Sequence, residues 1–167
     1  MPYVLRAPTL ITDFSATTGM TLTQGTGSVA LDTDATKRTV GSASLKITQL
    51  ASASSALVDL DCRNAALGGT GSDGFSMLAD NMVHLRSFID TPNNQNTVSL
   101  FFSNDAAGFA NYFAATVAPA QISTTAAWKN AMWDRGEGRA DWTVGAGAPS
   151  WGTTVKTIRI RPAANAN

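Results

Sequence analysis

Two stretches of this chain alternate residue by residue, and that period of two restricts the fold more than any other feature of the sequence. Val83, Leu85, Ser87 and Ile89 interleave with His84, Arg86, Phe88 and Asp90, and Val98, Leu100 and Phe102 interleave with Thr97, Ser99, Phe101 and Ser103. Successive side chains of a strand point to opposite faces, so each stretch reads as a strand with one face on a core. Shorter runs of the same kind occupy 28–31, 43–48, 56–61, 111–117, 128–133 and 154–161, which makes about eight strands in all. The residue supply agrees: Thr, Ser and Gly total 49, lysine numbers four, and eleven of the twelve acids are Asp, a poor stock for helices and a good one for strands and turns. Segments rich in Gly, Asn, Asp and Pro, such as 68–74, 90–94 and 145–152, separate the runs. The pattern predicts an all-β fold, a two-sheet antiparallel β-sandwich of jelly-roll type. At most one or two short helices fit: one at 74–82, where Phe75, Met77, Leu78 and Met82 share a helical face, and a turn of another at 124–131.

A chain of 167 residues is enough for a single core, so 1–161 reads as one module and the small, polar 162–167 as a linker stub or free end. Twelve basic residues balance twelve acidic ones, which leaves no electrostatic footprint for nucleic acid or an anionic membrane surface. No apolar run approaches about eighteen residues, and the first residues lack a charged start followed by an apolar stretch, so neither a membrane span nor a secretory signal is expected. The single cysteine, Cys62, excludes an intrachain disulfide, and it continues the apolar side of Val58 and Leu60 as a core residue.

Two motifs carry a resemblance. After an early Asp13-Phe14 and a polar loop, Gly41-Ser42-Ala43-Ser44-Leu45-Lys46 resembles the Gly-Ser-x-Ser-Leu-Lys strand of carbohydrate-binding-module-like (galactose-binding-like) jelly rolls. Near the end, Trp151 followed by Val155-Lys156-Thr157-Ile158-Arg159-Ile160 is similar to the last strand of the same group. Such modules are found on glycan-active enzymes and on bacteriophage tail fibres, tailspikes and tail-associated deacetylases. The resemblance implies a lectin-like sandwich that recognises glycan or scaffolds an adjacent domain. With neither signal peptide nor disulfides expected, a phage virion protein that folds in the host cytoplasm fits better than a secreted enzyme, which locates the protein in the virion or outside the cell after assembly. Similar modules often carry a structural calcium joining the first strand, an early loop and the last strand, which implies Asp13, Asp32 and Asp34 as ligands. This chain departs from that pattern, because no acid follows Arg161 at the end of the closing strand, and turn-forming Asp is the alternative.

Sugar rings stack their C–H groups on aromatic faces and offer hydroxyls to Asn, Asp, Arg and His, so a glycan site needs exposed aromatics beside such groups. His84 and Arg86 lie on the polar side of a middle strand, and Asn111 and Tyr112 on what the pattern takes to be a neighbouring one, which together predict a shallow groove on one sheet. The alternative has Tyr112 packed at a sheet edge and His84 and Arg86 solvated or paired with Asp90. Of the tryptophans, Trp151 reads as core. Trp142 follows the charged, Gly-punctuated segment 134–141 and is expected to be the most exposed, with Arg135, Glu137, Arg139 and Asp141 as a polar rim. Ile158 and Ile160 point to the core, which leaves Arg159 and Arg161 wet, paired or facing a ligand. Phe88 and Phe101 fall on faces otherwise polar, so both faces of those strands are expected to be partly covered.

Enzyme chemistry is thinly supplied. No Gly-x-Ser-x-Gly elbow accompanies the lone His84, Cys62 with His84 is the only thiol pair that can be drawn, Glu137 is the single glutamate, and Gly68-Gly69-Thr70-Gly71 lacks the Lys-Ser/Thr of a phosphate loop. The sequence therefore reads as a non-catalytic recognition module of a phage tail or surface-recognition protein that binds bacterial surface polysaccharide. The alternative is a structural module holding neighbouring domains or subunits of a virion, or an accessory domain joined to a glycan-active enzyme, with a small glycan hydrolase or esterase as a third reading.

Overall fold

The computed structural model describes residues 18–24, 27–37, 43–49, 57–63, 74–77, 82–88, 95–117, 128–134 and 141–164. They form strands β1 (Met20–Gln24), β2 (Gly27–Asp32), β3 (Ser44–Gln49), β4 (Leu57–Asp61), β5 (Met82–Phe88), β6 (Gln95–Ser103), β7 (Tyr112–Val117), β8 (Trp128–Asp134), β9 (Thr143–Ala146) and β10 (Thr157–Ala164), with one 3-10 turn at Ala35–Lys37. Every strand pairing is antiparallel. Six strands make one sheet in the order β1-β4-β10-β6-β7-β9, while β2 pairs with β3 and β5 with β8.

Register explains why these runs make a sandwich. Across the six-stranded sheet, Met20, Leu60, Ile158, Phe102 and Phe113 stand in one row, and Leu22, Val58, Ile160, Leu100 and Ala115 in the next. The alternation of each strand thus sums to a continuous apolar face. That face is covered by the two strand pairs: Val83 and Trp133, directly opposite each other on β5 and β8, belong to the buried cluster, and Val29, Leu45 and Ile47 of β2 and β3 pack against it. Burying each of these large side chains stabilises the fold by about 1.5–3 kcal/mol. Aromatic rings tie the layers together. Phe102 of β6 meets Trp142 at 5.1 Å, and Trp142 meets Trp133 of β8 at 6.2 Å and Trp151 at 5.4 Å, while Trp151 stacks flat on Phe113 at 4.0 Å.

The eight expected strands are all present, and two more join them at the edges of the large sheet, β1 and β9. The helix expected at 74–82 does not form over its described residues. Phe75 bridges Val155 in antiparallel fashion instead, and Met82 opens β5. Gly74 makes that bridge possible: its φ is +72°, and a methyl there would overlap the Val155 carbonyl. At 124–131, the described part, from Trp128 onward, belongs to β8. The closing strand runs past Arg161, with Pro162, Ala163 and Ala164 paired to Val98, Thr97 and Gln95 of β6.

Candidate functional site

The outer face of the β5–β8 pair is built by the same alternation that builds the core. With Val83 and Leu85 turned inward, His84 and Arg86 face out, and register places His84 opposite Met132 and Phe88 opposite Trp128. Trp128 is half-buried and has neighbours on three sides. Its indole N–H donates to the Thr36 carbonyl at 3.1 Å, the Phe88 ring meets it edge-on at 5.6 Å, and the Arg86 guanidinium lies 5.2 Å from its ring centre. Met132 is 64% exposed on the same face. An aromatic ring fixed in position beside exposed donors can stack a flat ligand and hydrogen-bond its edge.

The outer face of the six-stranded sheet carries a second aromatic group. Phe101 meets Tyr112 at 5.6 Å and Tyr112 meets Phe109 at 5.9 Å, both edge-on. Here the cations are differently placed. Arg159 makes two hydrogen bonds to the carboxylate of Asp59, at 2.6 and 2.8 Å, and its guanidinium lies 3.9 Å from the Phe109 ring centre. The two side chains are only 22% and 17% exposed. Phe109 reaches this position through a backbone φ of +46°, in the left-handed region, directly after Gly108 at +84°. Arg161, exposed, lies over Phe101 at 5.7 Å. Tyr112 occupies room left by Gly145, the residue at the β7–β9 register shift, where any side-chain carbon would overlap the tyrosine ring.

The residues singled out from the sequence are thus divided among three places. His84 and Arg86 share the β5–β8 face. Tyr112 stands on the opposite outer face, because β7 lies between β6 and β9 and the partner of β5 is β8, so no single groove unites them. Asn111 is committed to loop structure: its amide N–H₂ donates to Asp105 at 3.2 Å, and its Oδ1 accepts from the Ala148 N–H at 3.0 Å. Asn104 makes a parallel clamp, donating to the carbonyls of Ser150, Thr153 and Thr154 and accepting from the Ser150 N–H. Trp142 sits among Phe102, Trp133 and Trp151 rather than outside them, and its Nε1 is buried without a partner among the described residues. Of its expected rim, Asp141 accepts from the Asp134 N–H at 2.8 Å, and Arg135, Glu137 and Arg139 lie outside the described residues. Trp128, Phe88 and Met132 share this face with His84 and Arg86 and were not singled out as binding residues from the sequence. The signal that could have found two of them was the aromatic residue standing on an otherwise polar strand face.

Of the implied calcium ligands, Asp13 lies outside the described residues. Asp32 and Asp34 are engaged in successive turns, Asp32 accepting from the Asp34 N–H at 3.0 Å and Asp34 from the Thr36 N–H at 2.9 Å and hydroxyl at 2.8 Å. No three metal-binding side chains come together among the described residues. Cys62 is fully buried, and desolvation pushes its thiol up to about 12, whereas His84 is exposed on the far layer, so these two do not form a nucleophile pair. Compared with models of known families, with curated proteins and with solved structures, the chain matches none.

Proposed function

We propose that this protein is a non-catalytic recognition module that binds bacterial surface glycan through the outer face of the β5–β8 pair, as part of a phage tail or related surface-recognition assembly. The observation that carries the reading is Trp128, braced by Phe88 and Thr36 with Arg86 beside it and His84 on the same face. A held ring needs little ordering to stack a sugar, and such a stack contributes roughly 1–3 kcal/mol by analogy with nucleobases. Sites of that strength become useful when several copies act together. The family resemblance in the Leu45 and Ile158 strands supports the same reading.

The test is a glycan array probed with the folded protein displayed multivalently, with and without calcium. Reproducible binding that is lost in Trp128→Ala and kept in Tyr112→Ala supports this face. Silence from a folded sample, or loss in the Tyr112 variant alone, overturns it. A second reading, an assembly module, is favoured by the exposure of Met132 on the same face and of Val144 on β9. It predicts a stable oligomer that Met132→Lys dissociates, measured by sedimentation.

A further inference from the structure

Four described arginines can be compared, and the comparison separates them cleanly. Arg63 and Arg159 each bind both oxygens of a carboxylate, Asp61 and Asp59 respectively. Arg86 and Arg161 have no carboxylate among the described residues and lie over aromatic rings instead. Of these two, Arg161 shares its face with Asp59, so an anion arriving there meets a negative group one register row away. On the β5–β8 pair, the described acid is Asp134, opposite Met82 and two rows of that face from Arg86. Arg86 is exposed, and a guanidinium carries a planar fork of N–H donors that matches the two oxygens of a carboxylate.

We infer that Arg86, held over Trp128, receives the carboxylate of an acidic sugar, so that the glycan recognised is one containing hexuronic or similar carboxylated residues. This rests on the β5–β8 reading of the function and narrows its substrate class. Arg86 reads the acid, and Trp128 beside it supplies the apolar contact for the sugar. No bond is made or broken.

The test uses the full chain, displayed multivalently, against uronate-containing capsular polysaccharides, each beside its carboxyl-reduced form, with a phosphate-bearing teichoic acid and a neutral dextran alongside. The expected result is binding to the native polymer that weakens about tenfold or more on carboxyl reduction, on Arg86→Gln and on raising the salt. Arg86→Lys, which keeps the charge without the planar fork, loses part of that. The Arg86→Gln protein must melt as the parent does, which separates lost binding from lost fold. Equal binding to native and reduced polymers overturns this inference and leaves glycan recognition standing. Preference for teichoic acid overturns the carboxylate in favour of phosphate, and silence on every polymer overturns both readings.

Discussion

On the outer face of the six-stranded sheet, Arg159 is gripped by both oxygens of Asp59 and roofed by Phe109; on the outer face of the β5–β8 pair, Arg86 lies over Trp128 and has no carboxylate among the described residues. Both places combine an aromatic ring with a guanidinium, yet the first is closed and the second open. The closed arrangement requires a left-handed Phe109, a conformation that costs a bulky residue about 1–3 kcal/mol and persists because the surrounding contacts hold it. A pair with its carboxylate gripped at both oxygens and its guanidinium mostly covered by a ring is built for the fold rather than for an incoming anion. The open arrangement leaves the Arg86 side chain exposed, as the proposed recognition face requires.

The largest expected effect breaks the closed side. Asp59→Ala leaves the Arg159 guanidinium under Phe109 without its counter-ion, and is expected to lower stability by about 2–3 kcal/mol. Urea unfolding measures it, and Arg159→Met in the same chain should recover part of the loss. A cost below about 0.5 kcal/mol would make this an ordinary surface pair and erase the distinction between the two faces.

Next in size is the clamp that holds the Phe109 loop. Burial by itself would raise the pKa of Asp105, but hydrogen bonds from the Asn111 backbone and side chain and from the Ala110 backbone bring it below the ordinary 3.8. A carboxyl lowered in the folded state contributes stability that is present above its unfolded value and is lost as pH falls through the folded one. Because solvent screens this carboxylate, Asp105→Ala should cost about 0.5–1 kcal/mol near neutrality, mostly through the lost hydrogen bonds to Asn111. The gap between parent and variant should close as pH falls below 3.8. Unfolding curves at neutral and at acid pH decide it, and a gap that does not change with pH would remove the carboxylate from the clamp.

These two sites also mark how far the sequence could be read. The inward rows were legible wherever a strand lies over the core, because Leu100, Phe102, Ile158 and Ile160 alternate with polar neighbours. β1 and β9 were not, since they are edge strands: β9 is a four-residue stretch of small residues around Thr143–Ala146 whose pairing depends on β7 rather than on its own pattern. The helix expected from Phe75, Met77, Leu78 and Met82 is a periodicity shared by chance, overridden by a bridge to Val155, eighty residues away along the chain. Outward placement of His84 and Arg86 followed from alternation alone, but which strand lies beside β5 is a property of the topology, and Tyr112 on β7 belongs to the other sheet, not to a strand beside β5. Asn111 looked like a ligand because an amide that pins a loop and an amide that binds a sugar are the same residue.

An effect of similar size tests the closed side through its floor. Gly145→Ala forces the Tyr112 ring off the β9 bulge, at an expected cost of about 1 kcal/mol. In a Tyr112→Ala background the same change should cost much less, and a double-mutant cycle from thermal melts reads the difference. Equal costs in both backgrounds would mean that the glycine is needed by the backbone and not by the ring.

The smallest effect is expected where the functional claim is strongest. Arg86→Gln removes an exposed cation that touches one ring and pairs with no acid among the described residues, so its effect on stability should stay within about 0.5 kcal/mol by urea unfolding. A larger loss would show that Arg86 braces Trp128 as Arg159 braces Phe109, and the β5–β8 face would then be a second closed cluster. A negligible loss leaves an exposed guanidinium that the fold does not need, beside a ring that the fold holds in place. That outcome is what the proposed role of Arg86 requires, and the binding experiment then decides whether a partner uses it.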